Sequence, residues 1–175
     1  MDYGKRCNSR CVQQRKTAKP YYLETSFFSA CVTTRADVDS QSWRKRSLAW
    51  LKGQATHHEL FISDEVLGEL AAPSYPNSRE ALRFTAGITV LEVSDEVLGL
   101  GQVLIDEKVM PGPNTGDAVH VAAAIYYRLE YMLTWNVKHL ANLNKRTHLA
   151  KVCLKVGRVP PMIVTPDVLW EDANE

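Results

Sequence analysis

The chain has 175 residues, of which 45% are hydrophobic and 23% are charged, and its formal net charge is +1. These values are typical of one soluble globular domain and exclude a strongly basic protein, so contacts with nucleic acid would have to come from local patches. No stretch approaches the roughly 20 consecutive apolar residues that a membrane span needs, and the polar N-terminus has no apolar signal core, so we expect a cytoplasmic protein with no membrane partner.

The cysteines also indicate a reducing compartment. Cys31 and Cys153 lie in apolar surroundings that suit buried free thiols. Cys7 and Cys11 have the spacing of half a zinc site, but no second Cys/His pair lies nearby. We therefore do not expect a structural zinc ion.

The first third of the chain divides into a tail and the start of a domain. Residues 1–19 are rich in Lys, Arg, Gln and Ser without a hydrophobic period, which predicts a disordered basic extension before one domain over residues 20–175. The apolar runs 21–23 and 59–62 predict buried strands. Between them the sequence predicts a helix opening at 25–28 and an amphipathic helix with a basic face over 39–54.

The same alternation of strands and helices continues to the end of the chain. Ser63, Ser94 and Thr115 are each expected to cap a following helix. The remaining predicted elements are a helix after Ser63, a helix over 79–85, a strand over 88–93, a helix over 95–108, a helix over 116–129, a strand over 131–134, a helical turn over 138–144, a basic helix over 147–156 and an edge strand over 162–164.

Oxygen-bearing side chains stand beside several of these predicted strands. Strands that alternate with helices pair in parallel, and parallel sheets place their sites at the carboxyl ends of the strands. Glu24 ends the first strand, Glu69 lies on the helix after the second, Asp117 opens a buried helix and Asn136 follows the fourth strand. Carboxylates brought together in one cleft need a cation, and oxygen ligands suit Mg²⁺ or Mn²⁺. Such an ion supports phosphodiester hydrolysis.

Structural roles for the same acids stay open at this point. Glu24 is placed where it would cap a helix, and Asp117 at a helix N-terminus would gain roughly 0.3–1 kcal/mol from the helix dipole. The spacing of the residues alone does not decide between these roles and a shared metal site.

The sequence motifs around these residues resemble those of the PIN-domain family, in the branch of VapC-like toxin ribonucleases of type II toxin–antitoxin systems. The resemblance covers roughly residues 20–169. It is carried by an ordered set of segments: Tyr-Leu-Glu-Thr-Ser at 22–26, the Ser-started helix with an acid at 63–69, Asp-Ala-Val-His-Val-Ala at 117–122, Tyr-Met-Leu-Thr-Trp-Asn-Val-Lys-His-Leu at 131–140 and Pro-Met-Ile-Val-Thr-Pro at 161–166.

This resemblance implies a three-layer α/β/α sandwich around a central, mainly parallel sheet. It also implies a divalent-metal-dependent endoribonuclease that cuts single-stranded RNA and is silenced by a small antitoxin. In that case Glu24, Glu69 and Asp117 hold Mg²⁺ or Mn²⁺, and Asn136 stands where a fourth acid is often found. Hydroxyl groups next to the first acid would support the site; they belong to Thr25 and Ser26.

Two departures from the family pattern define an alternative function. The family usually opens with Asp, so Glu24 is one methylene longer, and Asn136 is neutral. A catalytically impaired PIN module that binds RNA or a protein partner is therefore the competing hypothesis. Whether Glu24, Glu69 and Asp117 converge within reach of one metal ion discriminates between the two. A homodimer is also left open.

Other side chains have a functional and a structural interpretation. We place Glu69 in the site and expect Glu65, one turn earlier on the same helix, to be a surface acid. His120 lies one turn after Asp117, as a supporting hydrogen-bond donor or a satisfied buried histidine. Trp135 would stack on an RNA base or pack in the core. Two basic groups are candidates for phosphate contacts, with solvated helix faces as the alternative: Arg44, Lys45 and Arg46, and separately Lys145 and Arg146.

Overall fold

A computed structural model describes residues 18–170 of the chain, except the side chain of residue 144. Residues 1–17 of the predicted tail, which include Cys7 and Cys11, lie outside this range. The described part is built around one parallel sheet with the strand order β3-β2-β1-β4-β5. Its strands are β1 (Pro20–Leu23), β2 (Glu59–Ser63), β3 (Thr89–Leu91), β4 (Tyr131–Leu133) and β5 (Met162–Val164).

The order of the strands positions the site. The chain runs outward from β1 through β2 to β3 and then returns to the other side of β1, where β4 and β5 follow. The direction of winding therefore reverses between β1 and β4, which pair with Leu23 opposite Leu133. Helices that depart in different directions from such a point leave a crevice at the carboxyl ends of the two strands. Residues just past β1 and β4 line this crevice.

Helices cover the sheet, and the predicted α/β/α sandwich is confirmed. Within residues 18–170, α1 packs against α2, α3 against α4, and α5 against α6. Their bounds are α1 (Thr25–Val32), α2 (Val38–Gly53), α3 (Asp64–Ala71), α4 (Ser78–Phe84), α5 (Asp95–Asp106), α6 (Asp117–Tyr126) and α7 (Leu143–Lys155), with a short 3-10 turn at Ala55–His57. None of these helices combines the length and the apolar composition that crossing a bilayer requires.

β1 and α6 are the most completely buried elements, which fits their position at the centre of the domain. Tyr21, Tyr22 and Leu23 are all buried, as expected for a central parallel strand covered on both faces. Residues 118–125 of α6 are buried on every side of the helix, and their many alanines allow a close approach to its neighbours. The predicted buried thiols Cys31 and Cys153 are confirmed as buried and free.

Several predicted boundaries and caps are wrong for identifiable reasons. Helix α6 begins at Asp117, and its cap residue is Gly116 rather than Thr115, because the backbone there has φ +54°, which favours glycine. Ser63 and Ser94 stand at helix starts but make no capping bond with their side chains. Lys108, predicted to be helical, has φ +59° beyond the end of α5. The predicted turn over 138–144 is observed in part, as a turn over 137–140 in which the Leu140 N–H donates to the Asn136 carbonyl. The predicted helix over 147–156 begins earlier, at Leu143 of α7.

Candidate metal-binding and catalytic site

Glu24 occupies the crevice between β1 and β4 and is 5% exposed. Its Oε2 atom accepts hydrogen bonds from the Ser26 backbone N–H at 3.0 Å, from the Ser26 hydroxyl and from the Thr134 hydroxyl at 2.7 Å. Glu24 is thus the N-cap of α1, which confirms the structural interpretation. The same bonds fix the carboxylate so that Oε1 lies 4.0 Å from His120 Nε2. Capping and a functional role are therefore compatible, since they use different oxygens.

Glu69 enters the same crevice from α3. Its Oε2 accepts from the Thr25 hydroxyl and lies 3.0 Å from His120 Nε2. The side chain is 35% exposed, so one side of the carboxylate remains open to solvent. Burial raises the pKa of Glu69, but the hydrogen bond and charge of His120, with the Thr25 hydroxyl, outweigh burial and hold the pKa below its usual value. Glu69 is therefore ionised at neutral pH.

His120 is the buried centre of a hydrogen-bonded chain. Its Nδ1 lies 2.8 Å from the Tyr22 hydroxyl, which in turn lies 2.6 Å from the Ser63 hydroxyl. Burial lowers the pKa of His120, but Glu69 and Glu24 outweigh it and raise the pKa above its usual value. As an imidazolium, the ring donates from Nδ1 to Tyr22 and from Nε2 to Glu69. When it is protonated, this ring offsets part of the charge of the acids.

Asp117, at the start of α6, is paired with Asn136, just past β4. The Asn136 amide donates to both carboxylate oxygens of Asp117, at 3.0 and 3.2 Å. The Asn136 backbone N–H donates to the Thr134 hydroxyl at 2.9 Å, and that hydroxyl donates to Glu24. Glu24, Asn136 and Asp117 are thus joined by hydrogen bonds through Thr134, whereas Glu69 and His120 approach Glu24 through the 4.0 Å contact of His120 Nε2 with Oε1.

The atoms able to bind a metal ion are grouped differently from the expectation. Among residues 18–170, one carboxylate oxygen from Glu24, one from Glu69 and a ring nitrogen of His120 all lie within 4.8 Å of one another. Asp117 is not a member of this group, so the convergence of Glu24, Glu69 and Asp117 on one metal ion stays a prediction. Two carboxylates and an imidazole fit a divalent ion; the carboxylates suit Mg²⁺ and Mn²⁺, and imidazole is a common ligand of transition metals.

Glu65 has a role that the sequence did not suggest. It is half-buried and accepts a hydrogen bond from the Gly116 backbone N–H, at the start of α6. Gly116 also approaches Glu69, since a Cβ added to it would lie 3.2 Å from Glu69 Oε1. Glu65 therefore anchors the helix that carries Asp117 and His120, while Glu69 faces the crevice.

The expected phosphate-binding residues are not gathered at the acids. Arg44 Nε donates to the Cys31 carbonyl at 3.3 Å, and Arg46 pairs with Asp167. Lys45 lines a surface depression beside Arg46 and Trp170. Lys145 and Arg146 line a groove at Tyr131 and Met162, where β4 and β5 begin, away from the carboxyl ends of the strands.

Trp135 is a core residue rather than a free stacking platform. It is 6% exposed, its ring stacks on Trp43 with centroids 5.4 Å apart, and its Nε1 donates to the Ser47 hydroxyl at 2.7 Å. Beside this aromatic pair, a cleft of about 510 Å³ extends from Ser26 and Asn136 to the loop before α4.

Solved structures of other proteins have a fold similar to that of this chain. No protein-family model and no curated protein matches the sequence. The fold is similar to FitAcB from Neisseria gonorrhoeae, with a TM-score of 0.52, 13% identity, and coverage of 85% of this chain and 99% of that one. A toxin–antitoxin complex from Klebsiella pneumoniae matches with a TM-score of 0.51, 19% identity and coverage of 83% and 97%.

A third structure agrees with these two. VapBC2 from Rickettsia felis, bound to a DNA fragment from their promoter, matches with a TM-score of 0.50, 19% identity and coverage of 68% of this chain and 89% of that one. At these identities the likeness establishes the fold. The chain therefore has the fold of VapC-like PIN-domain proteins, and the fold expected from the resemblance is confirmed.

Proposed function

We propose that the chain is a divalent-metal-dependent endoribonuclease and the toxin of a toxin–antitoxin pair. The observation that carries the proposal is the convergence of Glu24, Glu69 and His120 in the crevice between β1 and β4. Carboxylates held this close repel one another unless a cation joins them. A bound Mg²⁺ or Mn²⁺ would supply an activated water and stabilise the charge that develops on a phosphate.

Within this proposal the residues of the chain have distinct tasks. Glu24 and Glu69 present oxygens to the ion, and His120 either joins them or holds Glu69 in place. Asp117, at the start of α6 and paired with Asn136, would orient the attacking water. Asn136, held beside Asp117 at 3.0 Å, positions that water without adding a negative charge.

The toxin role has a separate basis. The Klebsiella pneumoniae structure, which is similar in fold, is a toxin–antitoxin complex. A toxin must be held inactive in its own cell, so we propose a small antitoxin protein encoded next to this chain that copurifies with it. Absence of such a neighbour, together with no toxicity on overexpression, would contradict the toxin role without affecting the nuclease.

A cleavage assay tests the nuclease. The purified chain is incubated with single-stranded RNA in Mn²⁺, in Mg²⁺ and in EDTA, alongside Asp117→Asn, which keeps the size of the side chain and removes a charge. We expect cleavage by the wild type that EDTA abolishes and that Asp117→Asn lacks while remaining folded. Cleavage by Asp117→Asn at the wild-type rate would remove Asp117 from the site. Metal-independent binding of RNA without cleavage by the wild type would favour the impaired binding module.

A further inference from the structure

The cleft beside the acids has an aromatic wall. Trp43, from α2, is half-buried and stacks on Trp135 with an angle of 16° between the ring planes. Both rings line the cleft, and Tyr75 lines it from the loop before α4. The volume of about 510 Å³ falls within the range of about 300–1,000 Å³ that is usual for sites that bind small organic groups. A flat aromatic group therefore has both the room and a surface on which to stack.

The cleft is continuous with the proposed catalytic site. Ser26 and Asn136 line it and also belong to the hydrogen-bonded network of the acids. The Trp135 backbone N–H donates to the Ser26 hydroxyl at 2.8 Å, and that hydroxyl donates to Glu24. A substrate whose phosphate reaches Glu24 and Glu69 would therefore bring a neighbouring nucleotide towards this cleft.

Polar groups at the rim suit a nucleotide better than an apolar side chain of a protein. Arg35 lines the cleft and is exposed, which places a positive charge where an RNA backbone would pass. Asn77 donates from Nδ2 to the Val32 carbonyl at 2.9 Å, which fixes the orientation of its amide at the rim. An aromatic wall with a cation and an oriented amide at its edge is the combination that binds an unpaired base and its phosphate.

We propose that this cleft binds one unpaired nucleobase of the RNA substrate, next to the cleaved phosphodiester, by stacking on Trp43, which is backed on its other side by Trp135. The choice of RNA as ligand rests on the proposed function. Trp43 is then a specificity-determining residue that requires the RNA to be single-stranded at this position. Double-stranded RNA is excluded because a paired base cannot turn out into the cleft.

The test measures RNA binding separately from cleavage. The full chain, in EDTA so that no cleavage occurs, is titrated into single-stranded RNA that carries a fluorescent adenine analogue, whose emission falls on stacking. Trp43→Phe keeps an aromatic face, whereas Trp43→Leu fills the space without one. Trp170→Leu, at an aromatic residue that lines a different surface depression, is the control.

Trp43→Phe and Trp170→Leu should bind within about twofold of wild type, and Trp43→Leu about tenfold more weakly with loss of the fluorescence change, as expected for one lost base–aromatic stack. Equal binding and equal quenching by Trp43→Leu and Trp43→Phe would overturn the proposal. So would loss of binding to a copurifying small protein with unchanged RNA affinity, because the cleft would then be a protein site. The proposed function fails independently, if wild type in Mn²⁺ does not cleave the same RNA.

Discussion

Removal of the Tyr22 hydroxyl should weaken both the fold and the site. Tyr22 is fully buried, and its hydroxyl contacts Ser63 at 2.6 Å and His120 Nδ1 at 2.8 Å. Tyr22→Phe keeps the ring but leaves two buried polar groups without this partner. A buried polar group left unsatisfied costs about 1–3 kcal/mol, so we expect a loss of about 2–3 kcal/mol in the free energy of unfolding. For a domain of this size that loss lowers Tm by about 4–12 °C.

The same substitution should reduce metal affinity. The Tyr22 hydroxyl orients the His120 ring, and loss of a partner that orients a ligand typically weakens metal binding by about 10–100-fold. Thermal unfolding and calorimetric titration with Mn²⁺ measure the two effects. Tyr127→Phe is the matched control, since it removes a hydroxyl bonded to the Glu92 carbonyl at the surface. Equal Tm values and equal Mn²⁺ affinities for the two variants would refute the reasoning.

Three further changes have predictable effects. Asn136→Asp places a second carboxylate against Asp117, so it should destabilise the metal-free protein and tighten Mn²⁺ binding in calorimetry; unchanged affinity would argue against a metal near Asp117. The pKa of His120 is raised above 6.5, so its stabilisation is complete below pH 6.5 and is lost as pH rises through the folded-state pKa. In EDTA, the free energy of unfolding of the wild type should therefore fall as pH rises through this pKa. His120→Gln should not show this fall. Gly116→Ala should destabilise the protein by more than about 1 kcal/mol, measured with urea, because its φ is +54° and the added Cβ meets Glu69; a stability equal to wild type would contradict this.

The sheet and its site edge were accessible from the sequence because they depend on local patterns. The apolar run at residues 21–23 predicted β1, and the oxygen-bearing residues after the strands predicted the crevice. The sequence also indicated two roles for Glu24, as a helix cap and as an acid of a metal site, without deciding between them. The structure shows that the cap uses Oε2 and leaves Oε1 for the site.

The partners of each side chain could not be read from the sequence, because they depend on packing between distant segments. The bond of Tyr22 to His120 joins residues 98 positions apart, and the bond of Glu65 to Gly116 joins residues 51 apart. Tyr22 looks like a plain core residue of a strand. Its position two residues before Glu24 is a usable signal, since alternate residues of a strand face the same side.

We assign Glu69, rather than Glu65 one turn earlier on α3, to a metal site that cleaves RNA. The most direct measurement is the rate of cleavage of single-stranded RNA in Mn²⁺ by Glu69→Gln and by Glu65→Gln. Both variants remove one charge from α3, and a glutamine at 65 can still accept from the Gly116 N–H. We predict that Glu69→Gln is slower than wild type by about 100-fold or more and that Glu65→Gln stays within about tenfold. Wild-type activity in Glu69→Gln would contradict the assignment of the site.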